Sequence, residues 1–300
     1  MSSPGRIINR ISIYLPRLGL SALILCLASG MVLMFYYRPI GNVFQNVEEI
    51  TSLVPYGWFF RQLHYGAGQV FVILMLLHTV DHFVRKRYSM YALREWLALV
   101  VSLALCFYTL FTGFILKGDQ EGRFAGAIFM NILETLPIAG RAVAALFIVP
   151  GESFFFLPYL YHCFLLPLLV LYLMRGHIRE WLPNRRFMLS GGIGLFLYAL
   201  LVKPGMDIPP EASMAMVEGP WFFLGIQTLL KFLPPLVAGL VIPGLFIGGV
   251  LLLPATGNVL RALSFKKGAV QMGEKSLYGL LMILACLYGL LTLRAAIWGP

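Results

Sequence analysis

The chain has 300 residues, of which 59% are hydrophobic and only 12% charged; its mean hydropathy is +0.83 and its formal net charge +10. A soluble domain has no means of hiding that much apolar surface, whereas lipid-exposed helices need not hide it. Composition therefore excludes an ordinary water-soluble enzyme and points to an all-α integral membrane protein.

Cutting the sequence at its charged clusters leaves seven apolar segments, at about 18–37, 66–84, 96–116, 154–174, 187–202, 233–254 and 276–293. Each reads as a transmembrane helix. The first is too long, and too closely followed by further spans, to read as a cleaved signal peptide. Between the third and fourth, residues 118–153 include FAGAIFMNILETLPIAG, which is too polar and too interrupted by Gly and Pro to span. An amphipathic helical hairpin lying on the membrane surface is expected there. The fifth segment is the shortest, and a Pro-rich, acidic connection at 203–220 follows it. Four spans and every histidine fall within 1–186, and three spans with no histidine within 187–300, so two domains are expected: a four-helix unit and a three-helix unit.

Charge sets the expected orientation. With the N-terminus inside, the inner segments carry fifteen of the 23 Lys and Arg residues, among them Arg85, Lys86, Arg87, Arg175 and Arg179. They carry only four acids, Asp81, Glu95, Glu180 and Glu274; the outer segments carry eight bases and nine acids. This positive-inside bias places the N-terminus in the cytoplasm and the C-terminus outside, in a bacterial cytoplasmic membrane. It also accounts for the net charge, so no nucleic-acid partner is called for. The four cysteines (Cys26, Cys106, Cys163, Cys286) lie in apolar spans, and neither CxxCH nor CxxC occurs. They read as small packing residues.

The histidines carry the chemistry. His64 and His78 are fourteen residues apart, and His162 and His177 are fifteen apart. Fourteen helical residues make a near-whole number of turns and rise about 21 Å, so the members of a pair face roughly the same way at two depths. One intramembrane histidine could simply hydrogen-bond a neighbouring helix. Two pairs of near-equal spacing on two spans instead suit two stacked bis-histidine haems. The second and fourth spans run in the same direction, which pairs His64 with His162 near the outer face and His78 with His177 near the inner face. Imidazole on both axial sites gives a closed iron suited to electron transfer rather than oxygen chemistry. His82, one turn beyond His78, reads as an interfacial histidine, with a quinone or proton ligand as the sharper alternative. Gly66, Gly68 and Gly113 would let a flat macrocycle approach the backbone, although small-residue helix packing explains them almost as well. Arg61, one turn before His64, could partner a haem propionate or serve as an interfacial anchor. A different class of protein, a haem-free transporter with a histidine proton relay, is disfavoured because no discontinuous inverted repeat is present.

The run GWFFRQLHYGAGQVFVILMLLH resembles the second helix of the cytochrome b and cytochrome b6 family. TGFILKGDQEGRFAGAIFMNILETLPIAG resembles the family's third helix and surface hairpin, HCFLLP its fourth helix, and FYYRP the end of its first. The spacing of fifteen is that of the b6 branch, and from about residue 187 onward the chain, with WFFLGIQTLLKFLP, resembles subunit IV. The whole thus looks like cytochrome b6 fused to subunit IV.

That resemblance implies two haem b groups, a quinol substrate at the outer face and a second quinone site near the inner face. It also implies an outer redox partner, either a Rieske iron–sulfur protein or a c-type or multihaem cytochrome. The assembly would be multi-subunit and lipid-embedded, with a dimer as one arrangement. Several positions depart from the family. Its PEWY motif appears as EGPW, with the glutamate displaced to Glu218. The PW before the DQ pair is Lys117 and Gly118, an arginine before the third ligand is Leu157, and a cysteine early in the first helix is Tyr14. Quinol must lose protons as its electrons leave, so Glu218 is the candidate outer acceptor, with Asp119 and Glu121 as rivals that read equally as solvated acids. If the outer site does not work, the alternative is an electron conduit with one quinone site, serving an outer dehydrogenase or multihaem protein.

Overall fold

A computed structural model describes residues 4–202, 205, 207–212, 217–263 and 266–300, with side chains from residue 12 onward. The side chains of Arg6 and Arg10, and Lys203 at the start of the acidic connection, lie outside the described residues. The described residues form helices and turns with no strand.

All seven apolar segments are helical. The helices are α1 (Pro4–Met34), α2 (Val43–Ser52), α3 (Gly57–Val84), α4 (Leu93–Ile115), α5 (Gln120–Glu134) and α6 (Gly140–Ala145). They continue as α7 (Phe156–Trp181), α8 (Arg185–Leu201), α9 (Leu224–Leu229), α10 (Val237–Ala262) and α11 (Lys267–Trp298). Six of them (α1, α3, α4, α7, α10 and α11) are long and apolar enough to cross a membrane. The seventh, α8, has 17 residues, or about 25 Å of helix, at the lower limit for a 30 Å hydrocarbon layer. The expected surface hairpin is present as α5 and α6.

Local chemistry fixes several helix starts. Asn42 accepts from the Gln45 N–H at the start of α2, and Asp119 from the Gly122 N–H at 2.8 Å at the start of α5. Asn184 accepts from the N–H groups of both Arg186 and Phe187 at the start of α8. Each satisfies donors that an uncapped helix leaves orphaned. Several spans run beyond the apolar segments that betray them, because charged residues at their ends find partners. Helix α3 begins nine residues before its apolar segment and carries Arg61, which pairs with Asp207.

α1 and α3 form a long antiparallel pair, with α8 packed against both, and α4 lies against α7. The core between them is built from Ala22, Leu63, Ala67, Phe71, Val72, Met75, Cys106, Val170, Leu195 and Ala199. Small residues let the backbones approach: a Cβ on Gly191 of α8 would sit 3.3 Å from the Ser21 side chain of α1. A second core, at the end opposite the base-rich connections, joins Val43 and Val47 of α2 to Phe111 and Ile115 of α4, and to Ile148, Phe155 and Phe222. α10 docks on the bundle through α4, where Trp96 Nε1 donates to the Val250 carbonyl at 2.8 Å, and α11 packs against α9 and α10.

Candidate functional site

The two histidine pairs arise on helices of unlike geometry. α3 is a regular helix, in which fourteen residues fall about 40° short of four full turns. Fifteen regular residues would overshoot four turns by about 60°, turning the second pair out of phase with the first. α7 removes the difference with a π turn at Tyr161–Leu165, where the Leu166 N–H reaches back to the Tyr161 carbonyl. Pro167 supplies the cause: it has no N–H to give the Cys163 carbonyl, and its ring would crowd that carbonyl in a regular helix. The wide turn absorbs one residue, so fifteen positions on α7 match fourteen on α3. α10 repeats the device, with a π turn at Val237–Val241 ahead of Pro243.

Both expected pairs face each other. The His64 and His162 rings lie 5.8 Å apart, near-perpendicular at 79°, and the His78 and His177 rings 5.9 Å apart at 43°. Two imidazoles sharing one metal ion at about 2 Å per nitrogen place their ring centres about 6 Å apart. Two separate two-imidazole sites, at two depths, match that requirement.

The pair away from the base-rich end is held symmetrically. His64 Nδ1 meets the Cys26 carbonyl of α1 at 2.9 Å, and His162 Nδ1 meets the Thr109 carbonyl of α4 at 2.9 Å. Four residues after each carbonyl stands a glycine. A Cβ on Gly30 would lie 2.7 Å from His64 Cε1, and one on Gly113 would lie 2.7 Å from His162 Cε1. Each imidazole thus meets a glycine with its Cε1 nearest and has Nδ1 at a carbonyl. In both, Nε2 lies farther from a Cβ built on that glycine than Cε1 and Nδ1 do, at 3.8 Å for His64 and 3.4 Å for His162. A histidine ligand is commonly oriented in this way, through its second nitrogen. Gly30 and the two carbonyls escaped the sequence reading; Gly30 stands four residues after Cys26 on the facing span, the register that Gly113 holds against Thr109.

The other pair lines an apolar cleft. His78 is buried, and both of its ring nitrogens lack a hydrogen-bond partner among the described residues. Leaving such a group unsatisfied costs about 1–3 kcal/mol, which coordination would recover. The cleft beside it is walled by Met75 of α3, by Leu99, Val100, Leu103 and Cys106 of α4, and by Met174 of α7. An apolar slot between two imidazoles suits a macrocycle. The Trp181 ring stands beside both histidines, 6.0 Å from His78 and 6.2 Å from His177. His82 is buried at the same end, its ring 4.3 Å from that of His78.

The remaining sequence candidates fall elsewhere. Gly66 faces the Tyr198 ring of α8, and Gly68 makes ordinary contact with Cys26 and Leu110. Arg61 pairs with Asp207 and donates to Thr51 Oγ1 at 2.9 Å. Lys117 gathers three acids: Asp119 at 2.7 Å, Glu121 at 3.1 Å and Asp207 at 3.8 Å. Burial opposes the charge on Lys117, but these carboxylates outweigh it and hold its pKa above the ordinary lysine value. This network ties α3, the α4–α5 turn and the connection before α9 together above the His64 pair. Glu218 is exposed and stands apart from it. Its neighbours are fixed by Gln227, which accepts from the Gly219 N–H at 2.9 Å and donates to the Val217 carbonyl at 2.7 Å. Next in sequence, Trp221 Nε1 donates to Gln69 Oε1 of α3 at 2.8 Å.

Fold and paired histidines together define a multi-pass membrane cytochrome of the b type. The cytochrome b/b6/petB family model matches residues 8–181, more than half of the chain and all five histidines. The chain belongs to that family: it is a membrane cytochrome b subunit of electron transfer, from a family that binds haem b. Cytochrome b6 of Gracilaria tenuistipitata var. liui is 30% identical over 154 residues, covering 50% of this chain and 72% of that protein. Cytochrome b6 of Euglena gracilis is 29% identical over 158 residues, covering 51% and 74%. Among solved structures, a chain of "Hyperthermophilic respiratory Complex III" superposes with a TM-score of 0.63 at 19% identity, covering 95% of this chain and 90% of that one. The likeness in fold therefore runs through the last spans as well.

Proposed function

We propose that this chain is the dihaem subunit of a quinol-dependent oxidoreductase, carrying electrons between a membrane quinone pool and a redox partner at the far face. One observation carries the reading: two facing histidine pairs at two depths, brought into phase by the π turn in α7. His64 with His162 and His78 with His177 would hold two haem b groups, each supplying an iron that accepts and passes on one electron. The residues fit that role. The Cys26 and Thr109 carbonyls fix the tautomer and direction of the first pair, and the apolar cleft around the second excludes water. Residues 1–186 form the haem-bearing domain and 187–300 the domain that completes the quinol site. The base-rich end lies in the cytoplasm of a bacterial cell, and the opposite end meets an iron–sulfur or c-type partner within a larger complex.

The proton route at that opposite end belongs to Glu218. Asp119 is buried and spends its carboxylate on Lys117 and the Gly122 N–H, and Glu121 is also drawn to Lys117. Glu218 is exposed, on a loop clamped at both neighbours. Its exposure also favours the second reading, a conduit in which the partner oxidises the donor. Glu218→Gln separates the two. Quinol oxidation by the whole complex should fall about 100-fold if Glu218 accepts the proton, and unchanged turnover would favour the conduit.

The haem assignment is tested on the purified full-length protein. A reduced-minus-oxidised spectrum should show b-type bands at two haems per chain, and bands corresponding to none or one would contradict the proposal.

A further inference from the structure

A hydroxyl inside an apolar span commonly returns its proton to the carbonyl four residues back, as Ser21, Thr79, Ser102 and Thr109 do. Among the described residues, only Ser29 and Thr112 reach two carbonyls, four and three residues back. Both are buried, and they hold equivalent places: Ser29 precedes Gly30 on α1, and Thr112 precedes Gly113 on α4. In each case the carbonyl three residues back is the one that meets a histidine Nδ1, Cys26 for His64 and Thr109 for His162. The distances separate the two hydroxyls. Thr112 Oγ1 lies 2.9 Å from the Thr109 carbonyl and 3.2 Å from that of Tyr108, so its proton goes chiefly to the oxygen facing His162. Ser29 Oγ lies 2.7 Å from the Leu25 carbonyl and 3.1 Å from that of Cys26, so its proton goes chiefly elsewhere. Thr112 Oγ1 also stands 3.4 Å from His162 Nδ1, closing a triangle with the Thr109 carbonyl. A carbonyl oxygen has two lone pairs, and within a helix it already faces the N–H four residues on. Hydroxyl and imidazole therefore compete for the Thr109 oxygen.

We infer that the Thr112 hydroxyl, with Ser29 as its weaker counterpart, tunes the haem between His64 and His162 by limiting the hydrogen bond that the ligand imidazole can make. The inference rests on the haem assignment above and goes one step further, to what sets this haem apart from the other. When Nε2 is committed to a metal, Nδ1 carries the ring proton and donates it. A strong bond from that nitrogen makes the ligand more basic and favours the oxidised iron. Engaging the Thr109 oxygen with a hydroxyl weakens the bond and favours the reduced form. Thr112 is thus a positioning residue that acts through His162. The other pair has no equivalent at His78, whose Nδ1 meets no acceptor among the described residues.

Potentiometric titration of both haems in the full-length protein, in its membranes, tests this. Thr112→Val keeps the branched shape and removes one hydroxyl. It should move the midpoint of one haem, the one abolished by His162→Leu, to more negative values and leave the other in place. At the poise where that haem is half reduced in the wild type, its reduced-to-oxidised ratio should fall about threefold. Ser29→Ala should shift the same haem in the same direction but less, and Thr112→Ser should restore the wild-type value. Unchanged potentials, a positive shift or an equal shift of both haems would overturn the tuning role. Loss of the haem in Thr112→Val would also overturn it, by assigning the hydroxyl to structure alone. A wild-type protein without two b haems would instead overturn the underlying assignment.

Discussion

At the scale of single residues, the four ligand candidates were legible because histidine in an apolar span is costly and their spacing repeats. What seats them was not. Gly30 looks in sequence like any small residue of a span, yet a methyl there would meet the His64 ring at 2.7 Å, as one on Gly113 would meet His162. Alanine normally improves a helix over glycine by about 1 kcal/mol. Gly30→Ala and Gly113→Ala should nonetheless each perturb the haem of the His64–His162 pair and spare the other, as read from the two potentials. Equal behaviour of both haems would refute that seating. Arg61 read as a haem partner or an anchor, and sequence distance hid Asp207, its actual neighbour. Lys117→Met should lower stability by about 3 kcal/mol, because it strands the buried carboxylate of Asp119 without its cation. Thermal unfolding in detergent measures this. The sign of its pH dependence follows from the raised Lys117 pKa: the contribution is complete below the ordinary lysine pKa and fades only as pH climbs through the elevated one.

At the scale of elements, apolar runs gave the existence of all seven hydrophobic helices but not their ends, since charges such as Arg61 continue a helix once they are paired. Spacing alone left fourteen against fifteen unexplained, because a π turn has no hydropathy signature; Pro167 was its only visible mark. The geometry makes two opposite predictions about single deletions. Removing Phe164 together with Pro167→Ala should restore a regular helix of fourteen and keep both haems. Removing one residue between His64 and His78, where α3 has no π turn to give up, swings one ligand by about 100° and should cost a haem. Haem content per chain reads both, and loss of haem in the first variant would argue against the compensating role of the π turn.

At the scale of the whole molecule, composition alone excluded a soluble fold, and motif resemblance named the family that residues 8–181 confirm. The arrangement of the later helices lay beyond such reading, because α10 and α11 carry no ligand motif and α10 docks through contacts such as Trp96 to the Val250 carbonyl. The central claim is that the chain pairs its histidines across α3 and α7 at two depths. It is tested most directly by low-temperature difference spectra of four single variants, His64→Leu, His162→Leu, His78→Leu and His177→Leu, in the intact protein. The first two should abolish the same one of two b-type signals, and the last two should abolish the other. Loss of different signals within either pair would contradict the account.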